Sequence, residues 1–241
     1  MKNAELVVKK PSILFFDIET SNLRANVGRV LCISYAINDG KIQTLSLTDN
    51  MKKFKTDPTN DKQLIERFYE IVCNVDIIVG WYSRRYDYKF LNTRCLAYGL
   101  PPMPTTISHI DLWEHCRANF ALTSNRLQTF QEFTHLNDSK TRLDFDVWVR
   151  AAAGHIPSLR YIEKHCYQDI AVLRQAYKKM LPFIKNHPTM KTIINGPKPI
   201  CANCGSENVH RRGNYITIAN HFYRFQCQNC GSWFKGSKVK E

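Results

Sequence analysis

The stretch "ILFFDIETSNL", residues 13–23, sets two carboxylates, Asp17 and Glu19, near the end of an otherwise apolar run. Apolar runs of this kind are buried strands, where a charge is costly unless it is paired or bound to a metal. Residues i and i+2 of a strand share a face. Asp17 and Glu19 therefore project side by side, with Phe16 and Ile18 on the other face. Like charges so close repel, and a divalent cation relieves the repulsion. A strand end open to water relieves it too, and this stretch alone leaves both readings standing.

Outward from it, strand-like and helix-like segments alternate over the first 180 or so residues. Ser12–Glu19, Val30–Ile37 and Lys41–Leu47 read as successive strands, with "NDG" (38–40) as turn chemistry. "DKQLIERFYEIV" (61–72) has helical spacing of Leu64, Ile65, Phe68 and Ile71, and "VDIIVG" (75–80) is a short buried strand. Helical patterns follow near 86–98, 125–135 and 158–180. This succession predicts an α/β fold, a mixed sheet covered by helices. Composition shifts after Leu181: residues 182–200 carry four prolines and no steady period, so 183–200 reads as a linker between a domain over 1–182 and a module over 201–241.

Further acids bear on the opening pair. The segment "IIVGWYSRRYDYKFL" (77–91) runs from a buried strand through a glycine turn into a helix that begins near Asp87. "YIEKHCYQDIAVL" (161–173) puts His165 and Asp169 at i and i+4 on one helix face. Taken singly, Asp87 is an ordinary acid at a helix start, and His165 with Asp169 a surface pair. One shared site accounts for all of them together.

The ordered set of "FDIET", then Gly80 to Asp87 as G-x-x-x-x-x-(F/Y)-D-x-x-x-L, then helical His-Cys-x-x-Asp at 165–169, resembles the DnaQ-like, or DEDD, 3′–5′ exonucleases. The spacing of the second motif is similar to that of the exonuclease domains of family B DNA polymerases, and "HIDLWEH" (109–115) looks like the segment that follows it there. The resemblance covers about residues 10–182. It implies an RNase H-like fold and a metal-dependent 3′–5′ exonuclease in which Asp17, Glu19, Asp87 and Asp169 bind two Mg²⁺ or Mn²⁺ ions. Such ions, roughly 3.5–4 Å apart, serve both ends of an in-line phosphodiester hydrolysis. Asp17 would bridge them, Glu19 and Asp169 would complete the ion on the nucleophile side, and Asp87 would act through the second ion's water shell. A ribonuclease, a structure-selective nuclease or a catalytically silent nucleic-acid-binding protein of the same fold are the alternatives.

Two positions depart from the family pattern. Tyr82 stands where asparagine is usual. His165 occupies the slot that the tyrosine subclass fills with tyrosine, four residues before the aspartate, whereas the histidine subclass places histidine five before. With an unperturbed pKa near about 6.5, His165 either takes the water's proton or only orients the water. Asp111 reads as a fold-supporting or capping acid, with contact to a metal as the alternative. Asp144 and Asp146 match no motif position. Arg84, Arg85, Lys89 and Lys140 are either a solvated face or phosphate contacts, and Trp81 and Tyr82 core or site wall.

The distal module is read from its thiols. "CANC" (201–204) and "CQNC" (227–230) are separated by 22 residues, the spacing of a four-thiolate structural zinc site formed by Cys201, Cys204, Cys227 and Cys230. Such a zinc ribbon is too small to hold together through a core alone. Arg211, Arg212, Tyr215, Phe222, Tyr223, Arg224, Trp233, Phe234 and Lys235 interleave bases with aromatics, which suits nucleic acid, while docking to another protein is the alternative. The remaining Cys32, Cys73, Cys95, Cys116 and Cys166 fit no ligand spacing and read as buried thiols.

The bulk numbers point the same way. The 241 residues carry 34 Lys and Arg against 21 Asp and Glu, a net +13, and residues 183–241 carry six Lys and three Arg against two Glu. A surplus of this size implies a polyanionic partner, with DNA favoured over RNA. No apolar stretch approaches the roughly 20 residues that span a bilayer, and "MKNAELVVKKPS" has too short an apolar core for a signal peptide. The expectation is a cytoplasmic or nucleoid-associated protein, neither secreted nor membrane-bound, whose cysteines serve as thiols and metal ligands.

Overall fold

A computed structural model describes residues 11–136, 143–188 and 199–239. Lys140 lies outside the described residues. The chain divides into two compact units, Ser12–Ala176 and a second that takes in the chain from Tyr177 onward.

The larger unit is built around β1 (Ile13–Thr20), the centre of a five-stranded sheet ordered β3-β2-β1-β4-β5. β2 (Val30–Ile37) runs antiparallel to β1, and β3 (Gln43–Ser46) antiparallel to β2. On the other side β4 (Ile77–Gly80) and β5 (Ser108–Asp111) run parallel to β1 and to each other. The sheet is mixed and flanked by helices, as expected for an RNase H-like domain. Alternation sets its faces. Leu14, Phe16 and Ile18 enter the core, and the Phe16 ring lies 5.5 Å from that of Phe68.

Phe68 belongs to α2 (Lys62–Cys73), whose Leu64, Ile65, Phe68 and Val72 form its buried stripe. The short α1 (Met51–Thr56) precedes it. α3 (Asp87–Tyr98) buries Phe90, Leu91 and Cys95 and ends on Gly99 with φ +66°, a left-handed cap natural to glycine. α4 (Leu112–Asn119), α5 (Leu127–Thr134), α6 (Phe145–Ala152) and the long α7 (Ile156–Met180) complete the helices. Asp61 stands at the start of α2 without capping it. Its fully buried carboxylate instead accepts from Val30 N–H at 2.8 Å, from Arg94 at 2.7 Å and from the Tyr98 hydroxyl at 2.5 Å, tying α2, α3 and β2 together.

The third strand begins at Gln43 rather than Lys41, because Gly40 N–H closes a turn onto the Ile37 carbonyl at 2.9 Å. Cys73 is exposed, at the last residue of α2, while Cys32, Cys95, Cys116 and Cys166 are buried as thiols.

In the second unit β6 (Val209–Ile216), β7 (His221–Cys227) and β8 (Trp233–Lys238) form a separate antiparallel sheet ordered β6-β7-β8. Leu181, Ile184, Cys201 and Cys227 are buried. The Asn203 amide donates to the carbonyls of Leu181 and Ile184 at 3.0 and 3.3 Å, and the Ser232 hydroxyl donates to Leu181 at 3.2 Å. Among the described residues no helix is long and apolar enough to cross a membrane.

Candidate active site and zinc centre

β1 outruns its parallel neighbour. Its pairing with β4 ends at Phe15↔Val79, while its pairing with β2 continues to Thr20↔Val30, with a register shift after Glu19. Asp17, Ile18 and Glu19 thus lie beyond the carboxyl end of β4, where open α/β sheets place their crevices. The start of α3 covers this stretch: Asp87, its first residue, accepts Ile18 N–H at 3.3 Å. Tyr86 fixes the same junction, its hydroxyl 2.6 Å from Thr20 Oγ1.

α7 supplies the opposite wall. Leu159, Ile162, Cys166, Ile170, Val172 and Leu173 are its buried residues through this stretch, and Cys166 settles against β1, its thiol donating to the carbonyl and Oδ2 of Asp17 at 3.5 and 3.6 Å. This seat turns His165 and Asp169 toward Glu19. His165 Nε2 lies 3.6 Å from Asp169 Oδ2, and the ligand atoms of Glu19, His165 and Asp169 all fall within 4.8 Å of one another. Asp17 and Asp87 neighbour this trio through β1 without belonging to it.

Burial dominates the electrostatics of this strand end. Burial pushes the Asp87 carboxyl up to about 7, against the pull of its own and the Ile18 amide, and Asp111 adds to the rise. Burial, with Cys32 beside it, holds the Cys166 thiol well above the usual range, so it stays a neutral donor. Three gathered oxygen and nitrogen donors, with the carboxylates of Asp17 on β1 and Asp87 at the start of α3 nearby, make a set that a hard divalent ion fits.

The loop that delivers Asp87 is held by Asp111. Its carboxylate accepts the amides of Tyr82 at 2.8 Å, Arg84 at 3.0 Å and Trp113 at 3.0 Å, the last as the N-cap of α4. With three amides to satisfy, Asp111 is a scaffold for the loop rather than a metal ligand. Gly80 is needed because the loop folds back on it: a Cβ there would come 2.3 Å from Ser83 Oγ. Ser83 is in turn bonded to His109 Nε2 at 2.8 Å, and burial lowers His109 to about 3. Tyr82 holds φ +64°, a conformation that asparagine adopts more readily. The position that departs from the family pattern is therefore also a strained one, steadied by an edge-on contact of Tyr82 with Trp113 at 4.8 Å.

The other candidates fall away from the cluster. Trp81 donates to the Asn125 carbonyl at 2.9 Å and packs on Phe130. Arg84 and Arg85 reach Glu114 at 4.0 and 3.9 Å, and Lys89 is exposed. Asp144 and Asp146 are exposed at the start of α6. The seat provided by Cys166 and the Tyr82 and Arg84 amides held by Asp111 were not read from sequence, whereas its cap on α4 was. A cysteine adjacent to His165 and an acid ending a short strand were the signals available.

In the second unit Cys201, Cys204, Cys227 and Cys230 converge within 4.8 Å. The sulfurs of Cys201 and Cys230 are 3.7 Å apart, and those of Cys204 and Cys227 3.6 Å. A tetrahedron of thiolates about 2.3 Å from zinc has edges of about 3.8 Å, so the four sulfurs fit that ion. Burial raises the Cys227 thiol, but the amides of Cys230 and Asn229 and the neighbouring thiols outweigh it and bring it down to about 7.

A family model described as RNase_H superfamily matches residues 14–181. Among solved structures, the family B DNA polymerase from the hyperthermophilic archaeon Pyrobaculum calidifontis is similar, with a TM-score of 0.57 and 18% identity, over 71% of this chain and 25% of that one. The chain thus spans about a quarter of that polymerase's length, and the likeness is one of fold. No curated protein matches the sequence significantly.

Proposed function

The chain belongs to the RNase H superfamily, and from that premise we propose that it is a metal-dependent 3′–5′ exonuclease acting on nucleic acid. The observation that carries the reading is the convergence of Glu19, His165 and Asp169 within 4.8 Å, on the strand end that also bears Asp17 and receives Asp87. Asp17, Glu19, Asp87 and Asp169 would hold two Mg²⁺ or Mn²⁺ ions, which supply a nucleophilic water near neutral pH and stabilise the leaving 3′ oxygen. Asp87 is oriented by the Ile18 amide and Asp17 by the Cys166 thiol. His165 accepts the water's proton at Nε2, and the Asp169 carboxylate 3.6 Å away steadies the imidazolium that forms.

We assign residues 1–182 to the nuclease domain, 183–200 to a connection and 201–241 to a zinc ribbon that assists substrate binding, a division supported by the composition break after Leu181. DNA is the favoured substrate, in keeping with the DNA polymerase among the similar structures and the net charge of +13. A cytoplasmic or nucleoid-associated setting goes with that substrate. Digestion of 3′- and 5′-labelled single- and double-stranded DNA and RNA with Mg²⁺ or Mn²⁺ tests the reading. Stepwise shortening of 5′-labelled DNA from its 3′ end is expected; release of the 5′ label first would contradict the polarity, and no cleavage at all the activity.

A further inference from the structure

The sheet of the second unit has two unlike sides. On one, Phe225 stacks on Phe234 with ring centroids 5.7 Å apart, and Gly236 lies so close that a Cβ would come within 2.5 Å of the Phe225 ring. Phe225 and Phe234 are half-buried there. On the other, five side chains form a continuous band across the strands. The rings of Tyr215 and Phe222 are 6.4 Å apart, Lys235 Nζ lies 5.1 Å over Phe222, Lys235 pairs directly across from Arg224, and the Arg224 guanidinium lies 5.2 Å over Trp233.

Two features of the band need explaining. Trp233 is 52% exposed and Tyr215 46%, so large rings face water. Arg224 and Lys235 are like charges directly opposite on neighbouring strands, a destabilising pair, and Glu207 is the only acid among the described residues 199–239. A partner that brings both negative charge and flat apolar faces relieves both. Unpaired bases on a phosphate backbone offer that combination, and base-on-aromatic stacking beside basic groups is the general means of holding single strands. The cation–π contacts hold the cations over the rings in advance of binding, which lowers the ordering cost.

We propose that Tyr215, Phe222, Arg224, Trp233 and Lys235 form a single-strand nucleic-acid-binding face, the rings stacking bases and Arg224 and Lys235 contacting phosphates. This deepens the substrate-binding role given to the ribbon above and rests on it for the class of polymer. A duplex presents no free base faces, so the rings confer selectivity for unpaired strands, and the charges alone act on paired ones.

The test is fluorescence anisotropy of the full-length, zinc-loaded protein with labelled dT20 and with a 20-base-pair duplex, without Mg²⁺ or Mn²⁺. Trp233→Ala should weaken dT20 binding roughly 5- to 150-fold, the size of one stacked base, and leave duplex binding within about twofold of wild type. Trp233→Phe should restore most of the loss, separating stacking from a folding defect. Arg224→Ala with Lys235→Ala should flatten the dependence of log affinity on log salt by about 1.4, two phosphates at about 0.7 each. Zinc-loaded Trp233→Ala binding dT20 within twofold of wild type would overturn the proposal and leave the band to a protein partner. Equal losses on dT20 and duplex would overturn the stacking role. No cleavage is read, so a protein that binds through this band yet hydrolyses nothing would sink the nuclease reading and not this one.

Discussion

Glu19, His165 and Asp169 reach their common point from opposite ends of the larger unit, whereas Cys201, Cys204, Cys227 and Cys230 come from two short knuckles of one module. The first cluster is assembled by a fold that stands without it: β1 is buried along almost its whole length, and α7 seats Cys166 against it through ordinary packing. The second stands among strands with little core of their own, β6 being exposed at seven of its eight positions. Donor chemistry follows the same division, two carboxylates and an imidazole in the first cluster and four thiols in the second.

The largest expected effect bears on that contrast. Replacing Cys227 and Cys230 with serine removes the zinc, whose binding is worth about 10–16 kcal/mol in small zinc modules. Zinc content should fall from one atom per chain to none and β6–β8 should unfold, while the melting transition of the larger unit stays in place. Calorimetry with zinc analysis checks this, and collapse of both units would break the contrast.

Next in size, His165→Ala should lower kcat about 10²- to 10⁴-fold, the range of a positioned acid–base group. His165→Tyr should retain measurable activity with a flatter acid limb in a pH–rate series at saturating Mg²⁺. An acid limb unchanged in both variants would reduce His165 to a water-orienting group.

A smaller effect sharpens the contrast from the other side. Asp61→Ala strands the half-buried Arg94 and leaves Val30 N–H and the Tyr98 hydroxyl without their acceptor. Breaking a buried ion pair costs about 3–5 kcal/mol, and here the loss should fall on the larger unit alone, with zinc content unchanged. Thermal melts of the variant with and without a zinc chelator separate the two transitions.

The features legible in the sequence are those with strong local pattern. The acids of "FDIET" stood out against an apolar run, His165 and Asp169 shared a helix face by spacing, and the C-x₂-C pairs announced four ligands directly. β5 was not legible, since "SHID" is four residues long with only Ile110 apolar; it is a strand because parallel pairing with β4 places Ile110 and Asp111 beside Val79 and Gly80. α6 was hidden for a related reason: Asp144 and Asp146 alternate in sequence like strand residues, yet both lie at an exposed helix start. β8 carries Gly236, a residue that argues against a strand until its place beneath the Phe225 ring is seen. Local chemistry named the candidate residues, and long-range packing supplied the contacts of Asp111 with the loop before Asp87 and of Cys166 with Asp17.

The most direct test of the account compares wild type and Asp17→Ala on 5′-labelled single-stranded DNA with Mg²⁺ or Mn²⁺, alongside their melting curves. Asp17 sits with Glu19 on the same face of β1, and removing it takes away the proposed bridging ligand while relieving repulsion with its neighbour. Hydrolysis should fall to background with the melting temperature held or raised. Cleavage by Asp17→Ala at near the wild-type rate would contradict the account.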